Sequence, residues 1–307
     1  MEKSLILCLL GSGFLWADPE NKLPEGWVDG SKPTENQETQ AKSPEPESAN
    51  PTRPDSEPQK SVDENKEERS SNVAENGEFD KTSIEYLDIS SDEGRINIHA
   101  LKEEDTKARI ETKKEDFGSN CELVIHHNPS SQTLKIRAGK MKANFDIQDK
   151  CRVNFDLFLP GVVQSKISLG SGDLALRNLE GSAVIDVGAA NIMVNSKLSK
   201  LSVSGGAVVL TAINLNGDTT LKTGTLDGAL EFATLKENER IRTVIVDSGV
   251  ATLNIALPEG YAKEEINKPP FAVRLENKVP PPNEGGNQPY FLFKGSVGAG
   301  TIKINNG

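Results

Sequence analysis

The sequence predicts an all-β protein: a parallel β-solenoid, or β-helix, with coils of about 18 residues behind a disordered N-terminal tether. Three observations carry that reading. Glycines recur, with Gly170, Gly188, Gly206 and Gly224 spaced by 18 residues. Apolar positions keep the same interval. Ile167, Ile185, Val203 and Leu221 form one column, Leu174, Ile192 and Leu210 a second, and Leu176, Val194, Ala212 and Leu230 a third. Within each unit apolar and polar residues alternate, the period of a strand and not of a helix. A fixed period near 20 residues marks repeats that bury their apolar face only against the next repeat. Gly-Ser-Gly-Asp and Asn-Gly corners bound the short apolar runs, so one unit holds two or three short strands. Stacked units then lie about 4.8 Å apart.

Taken in order, residues 1–17 have the form of a secretory signal peptide. Lys3 marks the charged start, Leu5 to Leu10 and Phe14 to Ala17 the apolar run, and cleavage is expected between Ala17 and Asp18. The run is too short to span a membrane, and no other stretch is long and apolar enough to do so. Cys8 lacks the small residue that a lipidation site needs before it and reads as part of the apolar run.

Residues 18–82 form an acidic linker rich in Pro, Glu and Ser. Residues 18–81 hold 17 Asp and Glu against 8 Lys and Arg, so most of the whole-chain net charge of −11 belongs to the tether. Such a composition buries too little apolar surface to offset chain entropy. It serves as a solvated spacer, or as a docking tail for a basic partner.

The folded part is expected over residues 83–307. Tyr86 to Ile89 and Arg95 to Ile98 read as strands around a Ser-Ser-Asp-Glu-Gly turn. Leu101 to Asp116 reads as a further strand. The runs from Cys121 to Ile125 and from Thr133 to Ile136 flank Asn128-Pro129-Ser130-Ser131 as a hairpin. Cys151 to Leu159 alternates cleanly, and Pro160-Gly161 leads into the repeat. Cys121 and Cys151 share parity with the inward residues that follow them, so both face the core. In an oxidising compartment they pair as a disulfide; otherwise they are two reduced core thiols. Neither has the spacing of a zinc site. After Phe232 the repeat breaks and resumes at Val244 to Leu257. Residues 258–289, with three Pro-rich or Gly-rich stretches, read as a long loop, and residues 290–307 as a capping coil.

The stretch from Val153 to Gly181, with Gly170-Ser171-Gly172-Asp173 as its intact turn motif, resembles the bacterial putative-adhesin family of β-strand repeats. The motif decays into variants at Gly188, Gly205, Gly224, Asp247 and Gly295. The resemblance implies an exported bacterial β-solenoid with no assigned catalytic chemistry.

For chemistry, Asp173, Asn191 and Asp227 share a register interrupted by Val209. A carboxylate or calcium site there would need more oxygen ligands at neighbouring positions. As turn residues they need no further role. His126 and His127, adjacent on a strand, point to opposite faces, and His99 stands apart. Gly170-Ser171-Gly172 is followed by no helix, so it is neither a nucleophile elbow nor a phosphate loop. The acidic balance disfavours nucleic acid. We expect no enzyme, cofactor or metal. The expected role is that of an adhesin-like binding or scaffold module of the cell envelope: periplasmic, on the cell surface or extracellular. Its partner would be a protein or glycan met on one face, with Ser168, Asp186, Ser204 and Lys222 as an outward column. A regulatory envelope-stress domain that binds a protein is the alternative, and a glycan-processing β-helix enzyme the second.

Overall fold

The computed structural model describes residues 76–141, 150–234, 241–266, 273–281 and 289–306. The expected signal peptide, its cleavage site at Ala17 and Asp18, Cys8 and nearly all of the acidic tether lie outside the described residues.

The described chain is nearly all β. In order come β1 (Gly77–Asp80), a 3-10 turn (Lys81–Ser83), β2 (Tyr86–Ala100), β3 (Lys107–Phe117), β4 (Cys121–Asn128), β5 (Thr133–Lys140) and β6 (Cys151–Leu159). Then follow β7 (Val162–Leu215), β8 (Asp218–Phe232), β9 (Ile241–Leu257), β10 (Ala262–Ile266), β11 (Val273–Asn277) and β12 (Tyr290–Asn306). β7 runs through three units of the repeat. No helix among the described residues is long and apolar enough to cross a membrane.

The periodicity becomes register. β7 and β8 pair in parallel with Val203 facing Leu221, an offset of 18. Leu221 faces Val246 across β8 and β9, and Ile89 faces Ile167 across β2 and β7. Inside β7 the same offset is spanned by Asn191 Nδ2 donating to Asp173 Oδ1 and by Ser204 Oγ donating to Asp186 Oδ1. Alternation sends every second side chain inward. Ile89, Ile167, Ile185, Val203, Leu221 and Val246 are all buried, part of one core that extends from Ile84 to Ile304.

Glycine sets the corner between the two strands of each rung. A Cβ on Gly188 would lie 2.4 Å from the carbonyl oxygen of Gly170. The same conflict recurs for Gly206 over Gly188 and for Gly224 over Gly206, each at 2.7 Å. Gly249 over Gly224 and Gly298 over Gly249 continue the column at 2.8 and 2.7 Å. Backbone sits directly on backbone there, leaving no room for a side chain.

Both ends differ from the sequence expectation. The linker does not extend to residue 82, because Gly77–Asp80 pairs antiparallel with β3. Only Lys107 onward in the 101–116 stretch is strand, since Lys102 to Asp105 closes a turn. The hairpin of β4 and β5 forms as read, with Asn128 facing Thr133 and Asn128 Oδ1 accepting from Ser130 N and Ser131 N. The order of rungs is not the order of the chain. β6 leads directly into β7, yet β2 lies between them, with Leu157 facing Ile98 and Ile98 facing Leu176. Pro160-Gly161 therefore climbs two rung spacings, about 9.6 Å. Three extended residues just reach that far, at roughly 3.3–3.6 Å each.

At the other end, residues 258–289 are not one long loop. They contain β10 and β11, both parallel to β12. β12 in turn pairs with β9 on its other side. The expected capping coil at 290–307 is thus an inner rung, and the earlier segment 262–277 lies outside it. Pro269 and Pro270, which made this stretch read as loop, fall among residues that are not described.

Candidate functional site

The outward positions of the second strand in each rung form one continuous surface. Its first column runs Arg95, Asp173, Asn191, Val209, Asp227 and Thr252. Arg95 Nη2 lies 3.6 Å from Asp173 Oδ2, and Asn191 Nδ2 donates to Asp173 Oδ1 at 3.1 Å. The expected turn residue Asp173 thus bonds from rung to rung. The parallel register, with an 18-residue offset, brings these side chains together.

The second column runs Asn97, Ala175, Met193, Thr211, Ala229 and Asn254. Between the columns lies a groove of about 430 Å³ lined by Arg95, Asn97, Arg177, Asn191, Met193 and Thr211, among others. A second groove, of about 500 Å³, continues past Val209 towards Asp227 and Val250. Met193 is 52% and Val209 49% exposed. Sequence reading missed both as surface features, although their parity, opposite to Ile192 and Leu210, already turned them outward. They make the middle of the surface apolar, between Asp173 and Asp227.

The column predicted on the other strand is also assembled. Ser168 faces Ser90, Ser204 faces Lys222, and Lys222 faces Asp247. Ser204 Oγ donates to Asp186 Oδ1 at 3.0 Å. Each neighbour satisfies the next, so this face is more self-contained than the first.

The turn motif has a steric role. A Cβ on Gly170 would come within 2.3 Å of the Asp92 carbonyl oxygen. Gly172 has φ of +138°, and a Cβ there would meet Gly94 O at 1.8 Å. Cys121 and Cys151 are joined as a disulfide, with Cα atoms 5.5 Å apart. The bond ties the start of β4 to the start of β6.

The histidines are dispersed. His99 stacks on Phe158 at 5.2 Å, and Arg109 lies 4.8 Å from the centroid of the Phe158 ring. His127 Nε2 lies 3.0 Å from Ser83 Oγ, and its ring is 4.7 Å from Phe79. His126 faces Lys135 across the hairpin. Among the described residues no three His, Cys, Asp or Glu side chains converge as a metal site would require. Asp173 and Asp227 stand three rungs apart, about 14 Å. That exceeds the roughly 5–9.5 Å over which two carboxylates share a glycosidic bond.

The chain matches no family model, and no curated protein. Two solved structures resemble it in outline. One is described as a putative cell adhesion protein from Clostridium sporogenes, with a TM-score of 0.30 and 12% identity, over 76% of this chain and 98% of that one. Another is described as a putative adhesin from Parabacteroides merdae, with a TM-score of 0.27 and 13% identity, over 75% of this chain and 95% of that one. Likeness at that level assigns neither family nor role.

Proposed function

We propose that the protein is an exported, non-catalytic binding or scaffold module of the bacterial cell envelope, built as a parallel β-solenoid. The observation that carries the reading is the second-strand surface. Rungs in an unbroken parallel register present Met193 and Val209 to solvent, framed by the Arg95–Asp173–Asn191 ladder and by Asp227. Exposed apolar side chains framed by polar ones mark contact surfaces. The coil stack supplies rigidity, because each rung is held on both sides by a full ladder. The disulfide supports passage through an oxidising compartment. The binding partner is a protein or glycan that meets this surface edge-on to the rungs.

The test compares the mature protein with its Met193→Asp/Val209→Asp variant in pulldowns from envelope extracts and on a glycan panel. The proposal expects a bound species that the variant loses while its far-UV circular dichroism stays unchanged. Failure to bind anything across both panels, or binding that ignores the double variant, would overturn the assignment of this surface.

A further inference from the structure

We propose that the β4–β5 hairpin is a cap latched by Cys121–Cys151, and that opening the latch exposes a sheet edge to a second copy of this chain. β5 covers Tyr86–Ser91 of β2, pairing in parallel over those six residues only. On its other side, β2 pairs with β7 along nearly its whole length. Among the described residues, β4 pairs with β5 alone. No backbone ladder joins β4 to β6, so the disulfide is the bond between them. The far end of β4 is tied only through His127, which meets Ser83 and Phe79.

Burial grades the same way. Cys121, Leu123 and Ile125 of β4 are 7–8% exposed, whereas Leu87 and Ile89 beneath the cap are at 0–1%. The cap is therefore the thinnest-packed layer over a fully buried apolar edge. Low local burial is where sub-global opening begins. Once β5 leaves, Tyr86-Leu87-Asp88-Ile89-Ser90-Ser91 becomes an unpaired edge with alternating apolar residues, which pairs with another strand.

Opening the latch chemically means exchange with an external dithiol. Its thiolate attacks one sulfur of the Cys121–Cys151 bond and its second thiol resolves the mixed disulfide. The protein gains two thiols and the dithiol becomes a cyclic disulfide. Removing the constraint on a loop of 30 residues makes hairpin opening more frequent by roughly two to three orders of magnitude in the chain-entropy model.

The experiment is hydrogen exchange by mass spectrometry on the whole protein, with light scattering across a concentration series. Three samples are compared: the oxidised protein, the protein reduced with dithiothreitol under native conditions and alkylated, and the Cys121→Ser/Cys151→Ser variant. The reduced wild type covers the case in which the variant fails to fold. The expected result is a rise in exchange of about 100-fold or more over residues 86–91 and 121–138. Residues 198–232 should keep their protection, and mass should grow with concentration only in the reduced or variant protein. Unchanged exchange at the hairpin would overturn the latch. A uniform rise over all rungs would make the disulfide a support of the whole fold, and would also overturn it. Local opening in a strictly monomeric protein would overturn the role of the edge.

Discussion

Replacing Gly188 with alanine puts the glycine column to a quantitative test. The new Cβ would sit 2.4 Å from the Gly170 carbonyl oxygen. Ordinary carbon–oxygen contacts between strands begin near 3.3 Å, so the corner is short by about 0.9 Å. Spreading the two rungs by that amount lengthens the flanking ladder bonds from about 2.9 Å to roughly 3.8 Å, beyond hydrogen-bond range. Two such bonds at about 1 kcal/mol each, with the strain of overpacking, give a loss of about 2–4 kcal/mol. For a folded part of this size that lowers Tm by roughly 4–16 °C. Gly161→Ala is the control, because a Cβ there meets nothing within 4 Å. The two variants are predicted to differ even in sign. A tolerated Gly→Ala change stabilises by about 0.4–1 kcal/mol through the unfolded chain. Thermal and urea unfolding followed by far-UV circular dichroism reads both. If Gly188→Ala is as stable as Gly161→Ala, backbone does not rest on backbone at this corner, and the stacked-rung reading falls with it.

Three further outcomes are expected. The Thr219 hydroxyl is buried with no hydrogen-bond partner among the described residues, so Thr219→Val should raise stability by about 1 kcal/mol, read as a higher urea midpoint at unchanged slope. Asn191→Asp would set a second carboxylate against Asp173 at the present 3.1 Å contact; the variant should lose roughly 0.2–1 kcal/mol at neutral pH, recover it in acid, and show the loss shrinking in high salt. Hydrogen bonds to the Thr82 side chain and backbone N–H hold the Asp80 carboxyl below its ordinary value of 3.8. The stability it contributes is present above the unfolded pKa and is lost as pH falls through the lower folded one, so an NMR titration of Asp80 should find its midpoint below 3.8 and Asp80→Asn should remove that step.

What the chain decided by itself is the content of each rung. Alternation places Ile167, Ile185, Val203 and Leu221 inside, and the interval of 18 puts each above the last. Both follow from local geometry, a side-chain period of two and a repeat length that must return the backbone to the same corner. The same parity turned Met193 and Val209 outward. Only the tertiary structure decided the order of the rungs at the two ends. Nothing in β6 or β7 announces that β2 lies between them. Nor does the Pro-rich stretch after Leu257 announce that β10 and β11 lie outside β12. The reason is that every parallel edge offers the same backbone donors and acceptors at the same spacing, so a ladder does not identify its neighbour. The choice is made by which pairing also closes the apolar column, buries the terminal edge and leaves connections the chain can reach. Those conditions are met jointly by residues far apart in sequence, and they exist only once the whole stack is assembled.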